Sequence, residues 1–152
     1  MIKELVLSND EKTKELYAMQ KASYMVEAEL INFYNIPPLM ETFEELVHCG
    51  EKFLGYIEDG QMAGAVSYTV EDEEVTICRM IVHPEHFRKG IAGKLLTALE
   101  EKTRQYNTIT VSTGKENLPA KRLYLKHHFT FVQDKEVVSG LSISIFMKQL
   151  EK

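Results

Sequence analysis

No stretch of this sequence approaches the roughly 20 consecutive apolar residues that a membrane-spanning helix needs, so a membrane is not an expected partner. Cysteine is scarce. Cys49 and Cys78 stand far apart, match no metal-ligand spacing, and are expected to be reduced thiols in the core. The first ten residues lack a long apolar segment and a cleavage-like site, so they do not read as a signal peptide, and a cytoplasmic location is expected. Positive charge is in deficit: 18 Lys and Arg against 23 Asp and Glu give a net −5. That balance disfavours nucleic acid and weakly favours cationic ligands. No histidine is spaced with Cys, Asp or Glu as a ligand set, so no metal is expected. Repeats, low-complexity tracts and linkers are missing too, and residues 1–152 read as one domain.

What is present patterns into alternating elements. Ile2–Leu7 read as a strand, and Ser8, Asn9 or Asp10 can cap the helix after it. From Glu11 to about Ile31, Leu16, Met19, Ser23, Val26 and Leu30 share one helical face, flanked by Tyr17, Tyr24 and Ile31. Pro37-Pro38 are expected to exclude helix from their loop. Thr42-Phe43-Glu44-Glu45 has capping-box spacing and opens a short helix to His48. Lys52–Glu58 and Gln61–Val70 read as strands joined by a hairpin at Asp59-Gly60. The acidic turn Glu71–Glu74 leads into a strand where Val75, Ile77 and Ile81 alternate with Thr76, Cys78 and Met80. Further on, Thr108–Ser112 is a β-branched strand, and Asn117-Leu118-Pro119-Ala120 is a helix start with Ala120, Leu123, Tyr124 and His127 on one face. Phe129–Val138 and Leu141–Leu150 close a hairpin around Ser139-Gly140. The order β-α-α-β-β-β-α-β-α-β-β suits an α/β (α+β) fold: a mixed, mostly antiparallel sheet with one right-handed β-α-β crossover.

The densest signal lies between Met80 and Leu99. His83-Pro84 ends the strand. A basic turn follows, then a helix with Ile91, Ala92, Leu95, Leu96 and Leu99 inward and Lys94, Glu100, Glu101 and Arg104 outward. Gly90, Ala92 and Gly93 leave the first helical turn almost bare, so a ligand can approach its free amides. Those amides, the positive end of the helix dipole, and Arg88, Lys89 and Lys94 together suit a phosphate group. The alternative is an ordinary connection with a solvated basic turn. The stretch is neither a P-loop nor a Gly-x-Gly-x-x-Gly loop.

Phe87-Arg88-Lys89-Gly90-Ile91-Ala92 resembles the coenzyme A pyrophosphate loop of the GCN5-related N-acetyltransferases (GNAT), Gln/Arg-x-x-Gly-x-Gly/Ala, with Phe87 departing at the first position. Val82-His83-Pro84-Glu85 is similar to that family's lead-in. Asn117-x-x-Ala120-x-x-Leu123-Tyr124, followed by His128-Phe129, resembles its second cofactor motif, with His128 where glycine is usual. The resemblance implies a sheet of about seven strands flanked by about four helices. It implies acetyl-CoA as acyl donor, held by the edge at Ile81 and Val82, by Phe87, Arg88, Lys89, Gly90, Ile91, Ala92, Gly93 and Lys94, and by Asn117. It also implies Tyr124 as general acid toward the leaving thiolate; a helix cap and a core tyrosine are the structural alternatives.

The acceptor implied is a small-molecule or peptide amine, and a homodimer is left open. A Lys-like amine with pKa about 10.4 must lose a proton before it attacks. Some relatives carry a glutamate on the strand after the central helix; here that strand offers Thr108, Thr110 and Ser112. Glu27, Glu29, Glu73, Glu74 and water remain as bases. Tyr17, Tyr24, Phe33, Tyr34 and Phe43 are expected to be mostly core, with a minority lining the acceptor pocket. The expected function is amine acetylation by direct attack, and the alternative is a non-catalytic coenzyme A-binding sensor on the same fold.

Overall fold

The structure, a computed structural model, describes residues 1–150. Along the chain run β1 (Ile2–Leu5), α1 (Glu11–Ile31), α2 (Pro37–Met40), α3 (Phe43–Val47), β2 (Lys52–Glu58), β3 (Gln61–Glu71) and β4 (Glu74–Val82). After a 3-10 turn at Pro84–His86 come α4 (Ile91–Lys102), β5 (Thr108–Gly114), α5 (Leu118–Lys126), β6 (Thr130–Val138) and β7 (Leu141–Gln149). No helix among the described residues is long and apolar enough to cross a membrane.

Local chemistry sets most boundaries. The Asp10 carboxylate accepts from the Thr13 amide at 2.9 Å and so caps α1. Thr42 and Glu45 exchange side chain-to-backbone hydrogen bonds of 3.1 and 2.8 Å, the expected capping box. Asp59 and Gly60 both take positive φ, as a two-residue hairpin turn requires; Asp72 and Glu73 do the same without a glycine. Pro37 and Pro38 depart from expectation by opening a one-turn helix. They stand in its first turn, where no amide is needed, so proline's missing N–H does no harm. Among the described residues five helices flank the sheet, in keeping with the expected helix-flanked, mostly antiparallel architecture.

The seven strands lie in the order β1-β2-β3-β4-β5-β7-β6. All neighbours are antiparallel except β4 and β5, which α4 connects. On one face α4 and α5 bury Ile91, Leu95, Leu96, Leu99 and Tyr124 against Leu54, Val66, Val75, Ile109 and Phe146. Leu95, Leu96 and Leu99 are 0% exposed, worth roughly 1.5–3 kcal/mol each. Gly64 permits this approach, since a Cβ there would stand 2.8 Å from Ile91 Cγ2 and 3.0 Å from the Ile81 carbonyl. On the other face α1 and α3 bury Leu16, Met19 and Leu46 against Phe53, Ile57, Met62, Ala65 and Ile81.

Four other expectations are corrected. The inward face of α1 is Thr13, Leu16, Met19, Gln20 and Ala28, whereas Val26 and Leu30 are exposed. Polar Thr13 and Gln20 find hydrogen-bond partners inside, and this rotates the buried stripe away from the purely apolar one. β1 stops at Leu5 instead of Leu7. Cys49 is half-buried and Cys78 exposed, so neither thiol is core. The aromatic set borders the core rather than filling it: Tyr17 packs edge-on to Phe43 at 5.7 Å, and Tyr34 is exposed.

The outermost strand, β6, is exposed along its whole length. Its pairing with β7 skips Val132 and Val137, which are bulges on either side of the regular stretch Gln133–Glu136.

Arg79 of β4, only 8% exposed, is enclosed by two carboxylates. Its Nε and one terminal nitrogen donate to Glu51 at 2.9 and 3.1 Å, and both terminal nitrogens donate to Glu41 at 2.5 and 2.9 Å. Removing the cation leaves two poorly solvated acids facing each other. Arg79→Leu is therefore expected to lower unfolding free energy by about 3–5 kcal/mol in urea titrations at neutral pH. A loss below about 1 kcal/mol would show that the cluster is solvated.

Candidate active site

β4 and β5 pair only over Glu74–Ile77 and Thr108–Val111. Beyond these residues β4 continues against β3 to Val82 while β5 continues against β7 to Gly114. The two strands part, and the β4 edge from Cys78 to Val82 that would face β5 has no strand partner among the described residues. Such an edge offers backbone donors and acceptors to an extended ligand. A bulge accompanies the parting. Tyr68 stands opposite Ile77 and Ser67 opposite Arg79, so Cys78 is the extra residue. Bulges bend and twist a strand. This one also switches the inward alternation: Val75 and Ile77 pack toward α4, but Ile81 packs toward α1.

Past Val82 the chain turns at His83, whose ring nitrogen accepts from the Glu85 amide at 3.1 Å. Arg88 (φ 66°) and Gly90 (φ 74°) are left-handed, and Gly90 caps α4 without a side-chain hydrogen bond. The amides of Ile91, Ala92 and Gly93 therefore point out of the helix unclaimed. Open space surrounds Gly90, with nothing within 4 Å of where a Cβ would be. Arg88 and Lys89 are exposed, and the Lys94 ammonium lies 5.5 Å over the Tyr56 ring. His86 sits 3.2 Å from Glu58 and 3.3 Å from Lys89, bracing the turn from behind.

Glu27 of α1 faces the opening from the other layer. Its carboxylate accepts from Asn117 Nδ2 at 2.8 Å and from Thr113 Oγ1 at 3.4 Å. α1 reaches this point because Gly114 lacks a side chain: a Cβ there would stand 2.9 Å from Ile31 Cγ2. Burial pushes the Glu27 carboxyl above its usual range, and the two hydrogen bonds offset this only in part. Asn117 also caps α5, its Oδ1 accepting from the Ala120 amide at 3.2 Å. Tyr124, 3% exposed, packs edge-on to Phe129 at 5.5 Å and tilted on Phe146 at 6.0 Å. Burial first, and the Glu27 charge second, hold its phenol well above the ordinary value, so it stays a proton donor at neutral pH. Tyr24, one turn before Glu27, is raised by burial first and then by the nearby Glu27 and Tyr124 groups.

The expected residues thus fall into two groups around one opening, with revisions. The side chains of Ile81 and Ile91 are buried in the two cores, leaving only their backbone to a ligand. Phe87 is exposed. Gly93 is bare for packing: the His127 ring fills the place, 3.0 Å from where a Cβ would stand. His128 takes the left-handed conformation (φ 70°) that its usual glycine would adopt without strain. Of the candidate acids, Glu27 is the one brought to Asn117 and Tyr124; Glu29 is exposed on α1, Glu73 lies in the turn before β4, and Glu74 opens that strand opposite Thr108. Tyr24 and Thr113 join the site from outside the two cofactor motifs. The three-residue spacing of Tyr24 and Glu27, which puts both on one helical face, is the signal that could have found the first of them.

The sequence pattern of the acetyltransferase (GNAT) family matches residues 13–129. Among curated proteins, UPF0157 protein YqkA of Bacillus subtilis is 35% identical over 133 residues, 88% of this chain and 39% of that protein; the chain spans about two fifths of that relative's length. Among solved structures, the PaiA N-acetyltransferase of Thermoplasma acidophilum in complex with coenzyme A is similar over 98% of this chain and 99% of its own, with 19% identity and a TM-score of 0.81. The ribosomal-protein-S18-alanine N-acetyltransferase of Escherichia coli is similar over 100% and 96%, with 15% identity and a TM-score of 0.78.

Glu27 has its charged form disfavoured by burial in the folded chain relative to the unfolded one. Its contribution to stability is full below about pH 4, where an unfolded glutamate is also protonated, and is lost as pH rises through the raised folded value. Glu27→Gln keeps an acceptor for Asn117 and cannot ionise. It should melt above the wild type at about pH 8 and close to it at about pH 4 in calorimetric scans. A lower melting temperature for the variant at pH 8 would contradict the raised carboxyl.

Proposed function

The chain belongs to the acetyltransferase (GNAT) family, and from that premise we propose that it is an N-acetyltransferase passing the acetyl group of acetyl-CoA to a primary amine by direct attack. One observation carries the reading. An unpaired strand edge, a bare helix start in open space and a buried carboxylate all face the same opening. Bound there, acetyl-CoA would supply an activated thioester. The residues suit its parts: the amides of Ile91, Ala92 and Gly93 with Arg88, Lys89 and Lys94 for the pyrophosphate, and the backbone at Ile81 and Val82 with the Asn117 side chain for the pantetheine amides.

The residues of the chain then divide the proton work. Glu27, with its basicity raised by burial, removes a proton from the incoming ammonium. Tyr124 supplies a proton to the departing sulfur. The two roles are linked, because the Glu27 charge is one of the causes that raise the Tyr124 phenol. Once Glu27 has taken up the amine proton its charge is gone, and Tyr124 becomes a stronger acid at the step that needs one. Tyr24 lies close to both groups. The two structural neighbours described above are both N-acetyltransferases, which supports the reaction class.

The test is thiol release from acetyl-CoA across an amine panel. Turnover should rise with pH through a midpoint above the ordinary carboxylate range, and Glu27→Gln should remove that limb. Tyr124→Phe should lower kcat about a hundredfold to ten-thousandfold with little change in the KM for acetyl-CoA. Gly90→Glu places an acid on the helix start and should abolish calorimetric binding of coenzyme A in a folded protein. Coenzyme A binding with no thiol release for any amine would leave the sensor reading, which the lack of a carboxylate on β5 favours.

A further inference from the structure

The buried cluster on β4 reaches further than the two acids around it. Arg79 also donates to the Gln20 side-chain oxygen at 2.8 Å, so all five of its N–H groups are used. Gln20, 0% exposed, uses its own two N–H groups on the Glu41 carboxylate at 2.9 Å and the Pro38 carbonyl at 3.2 Å. Ser67 closes the far side by donating to Glu51 at 2.7 Å. Buried ion clusters are often no more stabilising than apolar packing of the same volume. A saturated network does fix geometry, since every donor and acceptor has one arrangement that satisfies it.

What it fixes here lies along α1. Gln20, Tyr24, Glu27 and Ile31 recur at helical spacing on one stripe. Arg79 is the first residue after the Cys78 bulge, at the start of the β4 edge that no longer pairs with β5. The Gln20–Arg79 hydrogen bond therefore ties the helix that carries Glu27 to the strand whose edge is open, at the point where the sheet begins to part. We propose that Gln20 is a positioning residue: locked to Arg79 and Glu41, it sets how α1 lies over the parted strands and so where the Glu27 carboxylate stands relative to the β4 edge. The proposal rests on Glu27 acting as the base.

Without the lock, α1 keeps its apolar contacts through Leu16 and Met19 but is free to shift along or turn about its axis. Misplacement of a reacting group by about 1 Å can cost about a hundredfold in rate. Glu27 would also leave its buried seat, the main cause of its raised carboxyl.

The test compares Gln20→Met, which keeps length and loses all three hydrogen-bond partners, with Gln20→Glu, which keeps the acceptor for Arg79. For Gln20→Met the expected result is a kcat at least about tenfold lower with unchanged calorimetric affinity for coenzyme A. The acid limb of its pH–rate profile should also move down toward the ordinary carboxylate range. For Gln20→Glu the limb should stay near its wild-type position. Should Gln20→Met fail to fold, Gln20→Asn, shorter by one methylene, makes the same comparison. A folded Gln20→Met or Gln20→Asn with wild-type kcat and an unmoved limb overturns the proposal. So does a kcat loss that simply follows melting temperature while the limb stays put. Wild-type turnover and pH profile in Glu27→Gln would instead remove the base assignment itself, so the two failures are told apart.

Discussion

The parting of β4 from β5 after four residue pairs is the constraint on which the rest of the structure depends. A sheet interior normally satisfies its own backbone, and a stretch of unpaired strand in the middle of one is costly unless something else occupies it. Here both flanking layers are built to hold the gap open. Gly64 lets α4 sit close beneath β3 and β4, while Gly114 lets the end of α1 lie close on β5. The bulge at Cys78 twists β4 away and turns Arg79 and Ile81 toward α1. The opening is thus framed by two helices at two glycines, with an ion cluster at its root.

Much of this was legible in the sequence, for a physical reason. Turns, caps and the basic loop are local events, decided by residues within a few positions of each other. Asp59-Gly60, the Thr42–Glu45 box, the Asn117 cap and the Gly90 helix start all form as their spacing requires. The single parallel strand pair follows from the β-α-β order around α4. What escaped was long-range and polar. Apolar periodicity placed Val26 and Leu30 inward, but the buried stripe of α1 is chosen by Gln20, whose partners Pro38, Glu41 and Arg79 lie 18, 21 and 59 residues away. No pattern of apolar residues could report a buried glutamine that needs an arginine from another element.

The site divides in the same way. The bare helix start was readable because glycine and lysine carry their meaning in place. The position of Glu27 was not, since it depends on α1 crossing β5 at Gly114 and on Asn117 of α5 being at hand. Gly93 is the instructive case. A missing side chain at a helix start reads as room for a ligand, yet the room is taken by His127 from the end of α5. The helix that presents the loop and the helix that bears Asn117 and Tyr124 are thereby interlocked, so the two halves of the opening hold a fixed distance.

The exposed strand β6 has a consequence for how copies of the chain meet. Phe131, Val132, Val137 and Val138 all lie open on the outer edge of the sheet, a composition that invites strand-to-strand zippering. Two identical strands joined antiparallel about a two-fold axis must set one residue opposite its own copy, because the axis stands perpendicular to the sheet. In the regular stretch between the bulges, an axis through Asp134, Lys135 or Glu136 brings like charge against like charge. An axis through Gln133 sets Asp134 against Val132. Each two-fold register centred on that stretch is frustrated, so the charges between the two bulges oppose antiparallel pairing of the strand with its own copy there.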